Sequence, residues 1–323
     1  MQIILLRNLK REYAAEFGEK AAFLGELSSS YSVPIGFVIT PASFSYFLKE
    51  TNSELKINKL LAQLQQVPLS DKAQLQEIAN QIQKEIVLKE MPTELKNSIL
   101  EYYNSINIEG DIDLHTFLAT DNHPFVAVRN SPIISARKQK LHLSQINVHG
   151  EDKLLKSIQI VWASMFTAKS LYYRKLKSID NFSQSIVVQK MINPEFSGLA
   201  RSAARETMSL NQKQIEVSYC HGLYQAVAQG LVQPNHFVAD KETGKIISES
   251  TRKQEIQLTC NDKETGTIKQ VLQLQNEEEK LTGAMLNKLF SIIRRIEKQF
   301  QATIQIEFAV KNAEIYVLDV FKI

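Results

Sequence analysis

Two acidic side chains near the end of the sequence are spaced so that they could hold a metal ion together. Glu307 lies in a segment that alternates apolar and polar residues, 303–310, and Asp319 lies in the apolar segment after a short turn. This pattern predicts a β-hairpin, and an odd-length turn would place both carboxylates, 12 residues apart, on one face. Two such carboxylates can hold a Mg²⁺ that bridges nucleotide phosphates. The alternative interpretation is a hairpin face in contact with solvent.

Basic residues occur at places where phosphate groups commonly bind. Lys20 is near the start of a predicted helix, where backbone N–H groups and the helix dipole also attract anions. Arg129 ends an apolar strand, and its planar guanidinium suits phosphate oxygens. The basic segment 137–140 could bind a polyphosphate or could simply be a solvated loop. An exposed lysine and a strand-end charge that reaches solvent are the alternatives for Lys20 and Arg129.

Composition excludes several classes of protein and leaves a globular chain of about two domains. The 323 residues carry a formal charge of only +3, so bulk charge gives no support for nucleic-acid or membrane partners. Cys220 and Cys260 cannot form a disulfide framework, and neither belongs to a Cys-x-x-Cys pair, which favours a reducing cytoplasm. No apolar run approaches the ~18 residues of a membrane span. The histidine and cysteine spacing predicts no zinc site.

The hydrophobic pattern predicts the elements that would position these residues, in an α+β fold. Apolar residues recurring at three- and four-residue steps predict helices over 14–27, 41–106 (a mainly helical segment of several helices), 151–174 and 277–300. Short apolar or alternating segments predict strands at 125–129, 185–192, 214–219, 236–240, 256–259, 267–274, 303–310 and 314–320, and residues 32–40 predict a turn that leads into a short buried strand. We expect a first domain over 1–124 that contains the helical segment, and a second over 125–323 that ends in a β-hairpin.

Short motifs in collinear order resemble the nucleotide-binding domain shared by phosphoenolpyruvate synthase, pyruvate phosphate dikinase and rifampicin phosphotransferase. The family's G-G-K-x-x-x-L-G-E, V-P-x-G-F-x-x-T and A-V-R-S-S motifs correspond here to 18–26, 33–40 and 127–131. Its A-S-L-F, Y-R, V-Q-x-M and S-G-V motifs correspond to 163–166, 173–174, 188–191 and 197–199. Its G-L-G-E, D-I-E-W-A and L-Q-x-R motifs correspond to 222–225, 305–309 and 318–321. The resemblance covers essentially the whole chain.

This resemblance implies an ATP-grasp-type nucleotide-binding fold, in which two α+β subdomains hold ATP between them and a helical insertion divides the first. It implies phosphate contacts and a catalytic role for Lys20 and Arg129. It also implies that Gln189 and Met191 border the adenine, with Gln225 at a further nucleotide-binding position. The implied Mg²⁺ ligands are Glu307 and Asp319.

The sequence also departs from the family's motifs. Gln225 replaces the acid of G-L-G-E, and the interval after Arg129 lacks the family's glycine-containing phosphate loop. Asp319 replaces the glutamine of L-Q-x-R and can still bind Mg²⁺, whereas Phe321 replaces its arginine and cannot bind phosphate. Losing one charge-assisted phosphate contact costs about 1.5–3 kcal/mol. These departures could weaken nucleotide binding or phosphoryl transfer by orders of magnitude.

Two functions of different classes therefore fit the sequence. The first is an ATP-dependent phosphotransferase of the kinase or dikinase type. Because the family's phosphohistidine domain and substrate-binding barrel match no part of these 323 residues, we expect the acceptor to be a phosphohistidine-domain protein or a small molecule in trans. The alternative is a catalytically degenerate pseudoenzyme that serves as a binding or scaffolding module.

Overall fold

The strand-forming segments pair into two large antiparallel sheets, one in each of two units of the chain. The computed structural model describes residues 3–108, 123–133, 144–179, 183–205, 210–272 and 281–323. Unit 1 comprises Met1–Glu26 and Ile35–Met191, and unit 2 comprises Leu27–Pro34 and Ile192–Ile323. The basic segment 137–140 lies outside the described residues.

Unit 1 is organised around a five-stranded sheet. Its strands are β1 (Ile3–Leu5), β2 (Gly36–Ile39), β3 (Val126–Pro132), β4 (Ser144–Val148) and β5 (Gln184–Lys190), in the order β1-β2-β5-β3-β4. The sequence-based division after residue 124 separates β3, β4 and β5 from β1 and β2. In the structure the division falls after residue 191, because β5 forms backbone hydrogen bonds with both β2 and β3.

The helices that begin in unit 1 agree with the predicted helical segments but are interrupted more often. They are α1 (Ala14–Phe17), α2 (Glu19–Leu27), α3 (Pro41–Glu50), α4 (Glu54–Gln66), α5 (Lys72–Val87), α6 (Thr93–Ile108), α7 (Glu151–Ala163) and α8 (Ala168–Leu176). The single helix predicted over 14–27 is broken at Gly18, whose φ of +86° is incompatible with a continuing α-helix. The helix predicted over 151–174 is broken by a 3₁₀ turn at Ser164–Phe166.

Side-chain alternation gives the unit 1 sheet one apolar face. Phe37, Val128 and Val188 point to this face and belong to a buried cluster with Trp162 of α7 and with apolar residues of α3 to α8. The helical segment therefore covers one side of the sheet. The opposite side carries the alternate residues of the same strands.

Unit 2 is organised around a six-stranded sheet with two small hairpins. Its strands are β6 (Phe196–Arg201), β7 (Ala204–Arg205), β8 (Leu210–Asn211), β9 (Gln214–His221), β10 (Asn235–Asp240), β11 (Ile246–Ser250), β12 (Ile256–Cys260), β13 (Thr267–Val271), β14 (Ile304–Lys311) and β15 (Glu314–Lys322). The order of the large sheet is β11-β10-β9-β6-β14-β15, and β12-β13 and β7-β8 pair separately. The predicted terminal hairpin is confirmed as β14-β15.

An amphipathic helix covers one face of the unit 2 sheet. This helix, α10 (Gly283–Phe300), follows the short α9 (Gln225–Ala228) and is capped by Thr282, whose hydroxyl accepts the N–H of Met285. Its buried residues Leu286, Leu289 and Ile293 recur at three- and four-residue steps, and α10 contacts β14. Across the described residues, no helix is both long enough and apolar enough to cross a membrane.

Removing side-chain volume from α10 should destabilise unit 2. We expect Ile293→Ala to lower the free energy of unfolding by about 2–5 kcal/mol, because Ile293 is fully buried and its truncation leaves a cavity. Urea denaturation followed by circular dichroism measures this difference. Asn287→Ala, at an exposed position of the same helix, is the matched control and should change stability by less than about 0.5 kcal/mol. Equal effects of the two substitutions would contradict the packing described.

Candidate functional site

Arg129 and Gln189 lie on the face of the unit 1 sheet that is opposite the helical layer. Ala127 lies opposite Gln189 and Arg129 lies opposite Val187, so both functional side chains point away from the helical layer. Gln189 is buried and Arg129 is half-buried. The sequence predicted that Arg129 ends its strand, which is wrong: pairing with β5 continues to Pro132, so Arg129 is in the interior of β3.

A glycine on β2 allows this strand to approach Gln189 closely. Gly36 of β2 lies directly opposite Gln189, and a Cβ at residue 36 would come 2.1 Å from the carbonyl oxygen of Val188 and 3.1 Å from Cγ of Gln189. A side chain at this position would therefore displace the strand or the carboxamide. Met191 follows β5 directly and is anchored by its N–H, which donates to the carbonyl oxygen of Phe125 at 2.8 Å.

Ser131 fastens the helix that carries Lys20 to the same face. Ser131 lies two residues after Arg129 on β3, and its hydroxyl accepts the N–H of Ala21 at 3.1 Å and donates to the carbonyl oxygen of Phe17 at 3.0 Å. The Ala21 N–H is one of the donors that the start of α2 leaves without an intrahelical acceptor, and the residue before the helix is glycine. Ser131 thus acts as a cap from a distant strand. It holds the first turn of α2, which includes the buried Lys20.

In unit 2, Glu307 and Asp319 are directly opposite each other on β14 and β15. They lie on the same face of the sheet, as predicted, but the expected odd-length turn is wrong. Asn312 and Ala313 form a two-residue turn with φ of 51° and 58°, which alone would pair Glu307 with Leu318. The register shifts between Glu307 and Phe308, and Leu318 is the additional residue of a β-bulge. This bulge brings Asp319 opposite Glu307.

The carboxylate pair has the chemistry expected of a Mg²⁺ site that is completed by phosphates. Asp319 is 1% exposed, and its Oδ1 accepts the N–H of Val320 at 2.9 Å. Glu307 is half-buried beside it. In the part of the chain that the structure describes, no group of three or more His, Cys, Asp or Glu side chains could hold a metal by itself. Mg²⁺ characteristically uses one or two carboxylates together with substrate phosphates, so this pair fits that ion.

A hydrogen-bonded network that sequence reasoning missed lies on the same face as Glu307. Arg201 of β6 donates from Nη1 to Glu216 at 3.0 Å and from Nε to Gln305 at 2.8 Å, and His236 contacts Glu216 at 2.9 Å. Burial raises the pKa of Glu216, but hydrogen bonds from His236 and Arg201 outweigh it and hold this pKa below the ordinary value. No sequence signal indicated the network, because β6 was not predicted.

Gln225 lies on a short helix of unit 2 and not on its large sheet. It begins α9, and its side-chain oxygen is buried and accepts no hydrogen bond from any described residue. The preceding loop is fixed by backbone hydrogen bonds from Gly222 to Glu195 at 2.9 Å and from Leu223 to Leu258 at 2.8 Å. Unit 1 therefore holds Lys20 and the Arg129 face, whereas unit 2 holds Gln225 and the carboxylate pair.

The family model for the pyruvate phosphate dikinase AMP/ATP-binding domain matches residues 14–321, and the chain belongs to this family. The α+β, ATP-grasp-type fold class predicted from the motifs is confirmed by this membership together with the two sheets. Nucleotide binding, of ATP or AMP, is the property that the family description itself states.

Curated relatives resemble the chain over most of its length. A probable phosphoenolpyruvate synthase of Methanocaldococcus jannaschii is 26% identical over 93% of this chain and 25% of its own length. One from Archaeoglobus fulgidus is 28% identical over 98% of this chain and 41% of its own length. The rifampicin phosphotransferase of Bacillus cereus is 28% identical over 93% of this chain and 33% of its own length. The chain thus spans less than half the length of these relatives.

The Ser131 hydroxyl should contribute measurably to the stability of unit 1. We expect Ser131→Ala to cost about 1–2 kcal/mol, because the N–H of Ala21 and the carbonyl oxygen of Phe17 lose a buried partner. Urea denaturation followed by the fluorescence of Trp162, the only tryptophan, reports on this unit. Ser45→Ala, at an exposed position of α3, should leave the midpoint unchanged. A midpoint for Ser131→Ala equal to the wild-type value would contradict the capping role.

Both cysteines should be chemically inert in the folded chain. Burial raises the pKa of Cys220 to about 12 and that of Cys260 to about 11, although Lys311 opposes the second shift. A raised pKa keeps each thiol protonated through neutral pH, and only the thiolate reacts. We expect Ellman's reagent at neutral pH to label neither thiol in the native chain and both in concentrated guanidinium chloride. Rapid labelling of the native protein would contradict this description.

Proposed function

We propose that this chain binds Mg²⁺-ATP and acts as the nucleotide-binding component of an ATP-dependent phosphotransferase similar to phosphoenolpyruvate synthase. The observation that carries the proposal is the pairing of Glu307 with Asp319 through the bulge at Leu318. The two residues are directly opposite each other on one face, so their carboxylates can serve as oxygen ligands to a single divalent ion. A divalent ion with phosphate ligands satisfies both groups.

The unit 1 residues are proposed to bind the nucleotide itself. Lys20 lies in the first turn of α2, where the positive end of the helix dipole supports anion binding, and Arg129 offers a bidentate guanidinium. Both would stabilise charge on the phosphoryl group that moves. Gln189, which packs closely against Gly36, and Met191 are proposed to border the adenine, and Gln225 of unit 2 is proposed as a further nucleotide contact.

The phosphoryl acceptor is proposed to be a histidine on a phosphohistidine-domain protein, or a small molecule, in the cytoplasm. The relatives are named for phosphoryl transfer, and this chain corresponds to 25–41% of the length of the three compared above. The chemistry that those relatives complete with their remaining length would then be supplied in trans. Lys20 and Arg129 would serve the same roles whichever acceptor is used.

A catalytically degenerate binding module is the second candidate, and Phe321 favours it. Phe321 is directly opposite Gln305 on β15, two residues after Asp319, and a phenyl ring there offers no phosphate contact. Gln225 also favours a binding module, because its carboxamide cannot act as an acid or a base. In that case the chain would bind its partner equally well with and without nucleotide.

Isothermal titration calorimetry of ATP with and without Mg²⁺ separates these functions. We expect the wild-type chain to bind ATP more tightly with Mg²⁺, and Glu307→Gln to weaken Mg²⁺-ATP binding about tenfold or more, because a ligand charge is lost. Lys20→Ala should weaken binding to a similar extent through a lost phosphate contact. Glu249→Gln and Lys10→Ala, at exposed positions of units 2 and 1, are the matched controls.

Two outcomes of these titrations would contradict parts of the proposal. Absence of binding at millimolar ATP would overturn the proposed function and favour the binding module. If both Glu307→Gln and Asp319→Asn still bind ATP in a Mg²⁺-dependent way, the chain binds nucleotide but the carboxylate pair does not bind the metal. Circular dichroism of each variant establishes that the fold is intact before either conclusion is drawn.

A further inference from the structure

Arg201 combines a phosphate-binding side chain with a position beside the carboxylate pair. It is the last residue of β6, its side chain is 14% exposed, and it points to the polar face of the unit 2 sheet. We propose that Arg201 is a further phosphate-binding residue for the nucleotide whose metal ion Glu307 and Asp319 hold. This inference rests on the proposed function.

Strand register places Arg201 next to the carboxylates. Glu307 of β14 lies opposite Asp319 on one side and opposite Leu199 on the other. Arg201 is two residues beyond Leu199 on the same strand and therefore on the same face. Diagonal neighbours of this kind have Cα atoms about 7–8 Å apart. A phosphate group bound to a metal at the carboxylate pair is within reach of an arginine side chain from this position.

Hydrogen bonds already fix the orientation of the Arg201 guanidinium. Nε donates to Gln305 at 2.8 Å and Nη1 donates to Glu216 at 3.0 Å. No described residue accepts a hydrogen bond from Nη2. The protein thus uses Nε and Nη1, and the donors of Nη2 are available for a phosphate oxygen. A guanidinium that is already oriented loses less conformational entropy when it binds a ligand.

The same cross-strand row also contains the position that departs from the family motif. Arg201 lies opposite Gln305, and Gln305 lies opposite Phe321, the position where the resemblance implies an arginine. An arginine at residue 201 of β6 and an arginine at residue 321 of β15 would therefore lie on either side of Gln305, in the same cross-strand row. Arg201 can therefore supply the charge that Phe321 lacks. The competing explanation is that Arg201 only neutralises the buried Glu216.

Titration of ATP and of AMP, each with Mg²⁺, distinguishes a phosphate contact from a structural ion pair. We expect Arg201→Gln to lower the affinity for ATP about ten- to a hundredfold, the effect of one charge-assisted contact. Its affinity for AMP should change little, because AMP lacks the β- and γ-phosphates that the metal bridges. Arg201→Lys should lose less, since it keeps the charge without the fork. Phe321→Arg added to Arg201→Gln should restore part of the ATP affinity.

Matched variants keep the test specific. Arg205→Gln, at a neighbouring exposed arginine, should bind ATP as the wild type does. Thermal unfolding without nucleotide measures any structural cost of Arg201→Gln and Arg201→Lys. Wild-type ATP affinity in both variants, or equal losses for ATP and AMP, would overturn the role of Arg201 while the proposed function stands. A wild-type chain that binds no nucleotide would overturn the proposed function and this inference with it.

Discussion

Alternation of side chains along the strands is the constraint on which both units depend. In each large sheet, every second residue contributes to an apolar face that helices bury: α3 to α8 in unit 1 and α10 in unit 2. Burial of that face fixes the register, because a slip of one residue would exchange the side chains of the two faces. The intervening residues are then held on the opposite face, which in unit 1 also buries Val38 and Val187. Arg129 and Gln189 in one unit, and Glu307 and Arg201 in the other, occupy such positions.

The sequence predicted those parts of the fold that have strong local periodicity. The helical segment 41–106 and the terminal hairpin are confirmed because their apolar residues recur regularly within one element. Strand β6 was missed because Phe196–Arg201 contains glycine, serine and arginine, and its strand character comes from pairing with β9 and β14. The division into units could not be predicted from local pattern either, since β5 pairs with strands distant along the chain.

The candidate site was predictable in its residues but not in its geometry. Lys20, Arg129 and Glu307 are recognisable by type and motif, whereas the cap supplied by Ser131 depends on the tertiary approach of β3 to α2. The Arg201 network likewise requires three strands in register. Several motif residues contribute shape instead of charge. Gly36 is an example, because any larger residue would collide with the backbone carbonyl of Val188.

The bulge at Leu318 also determines which changes of length the terminal hairpin tolerates. With a two-residue turn and one surplus residue in β15, Glu307 and Asp319 meet across the ladder. Adding or deleting a single residue within one strand, between the Lys311–Glu314 pair and the acids, would place the two acids on opposite faces. Deleting Leu318 itself would not, since that residue has no partner in the regular ladder. The acid pair is therefore compatible with a deletion at the bulge, and with a different loop length where the ladder keeps its register.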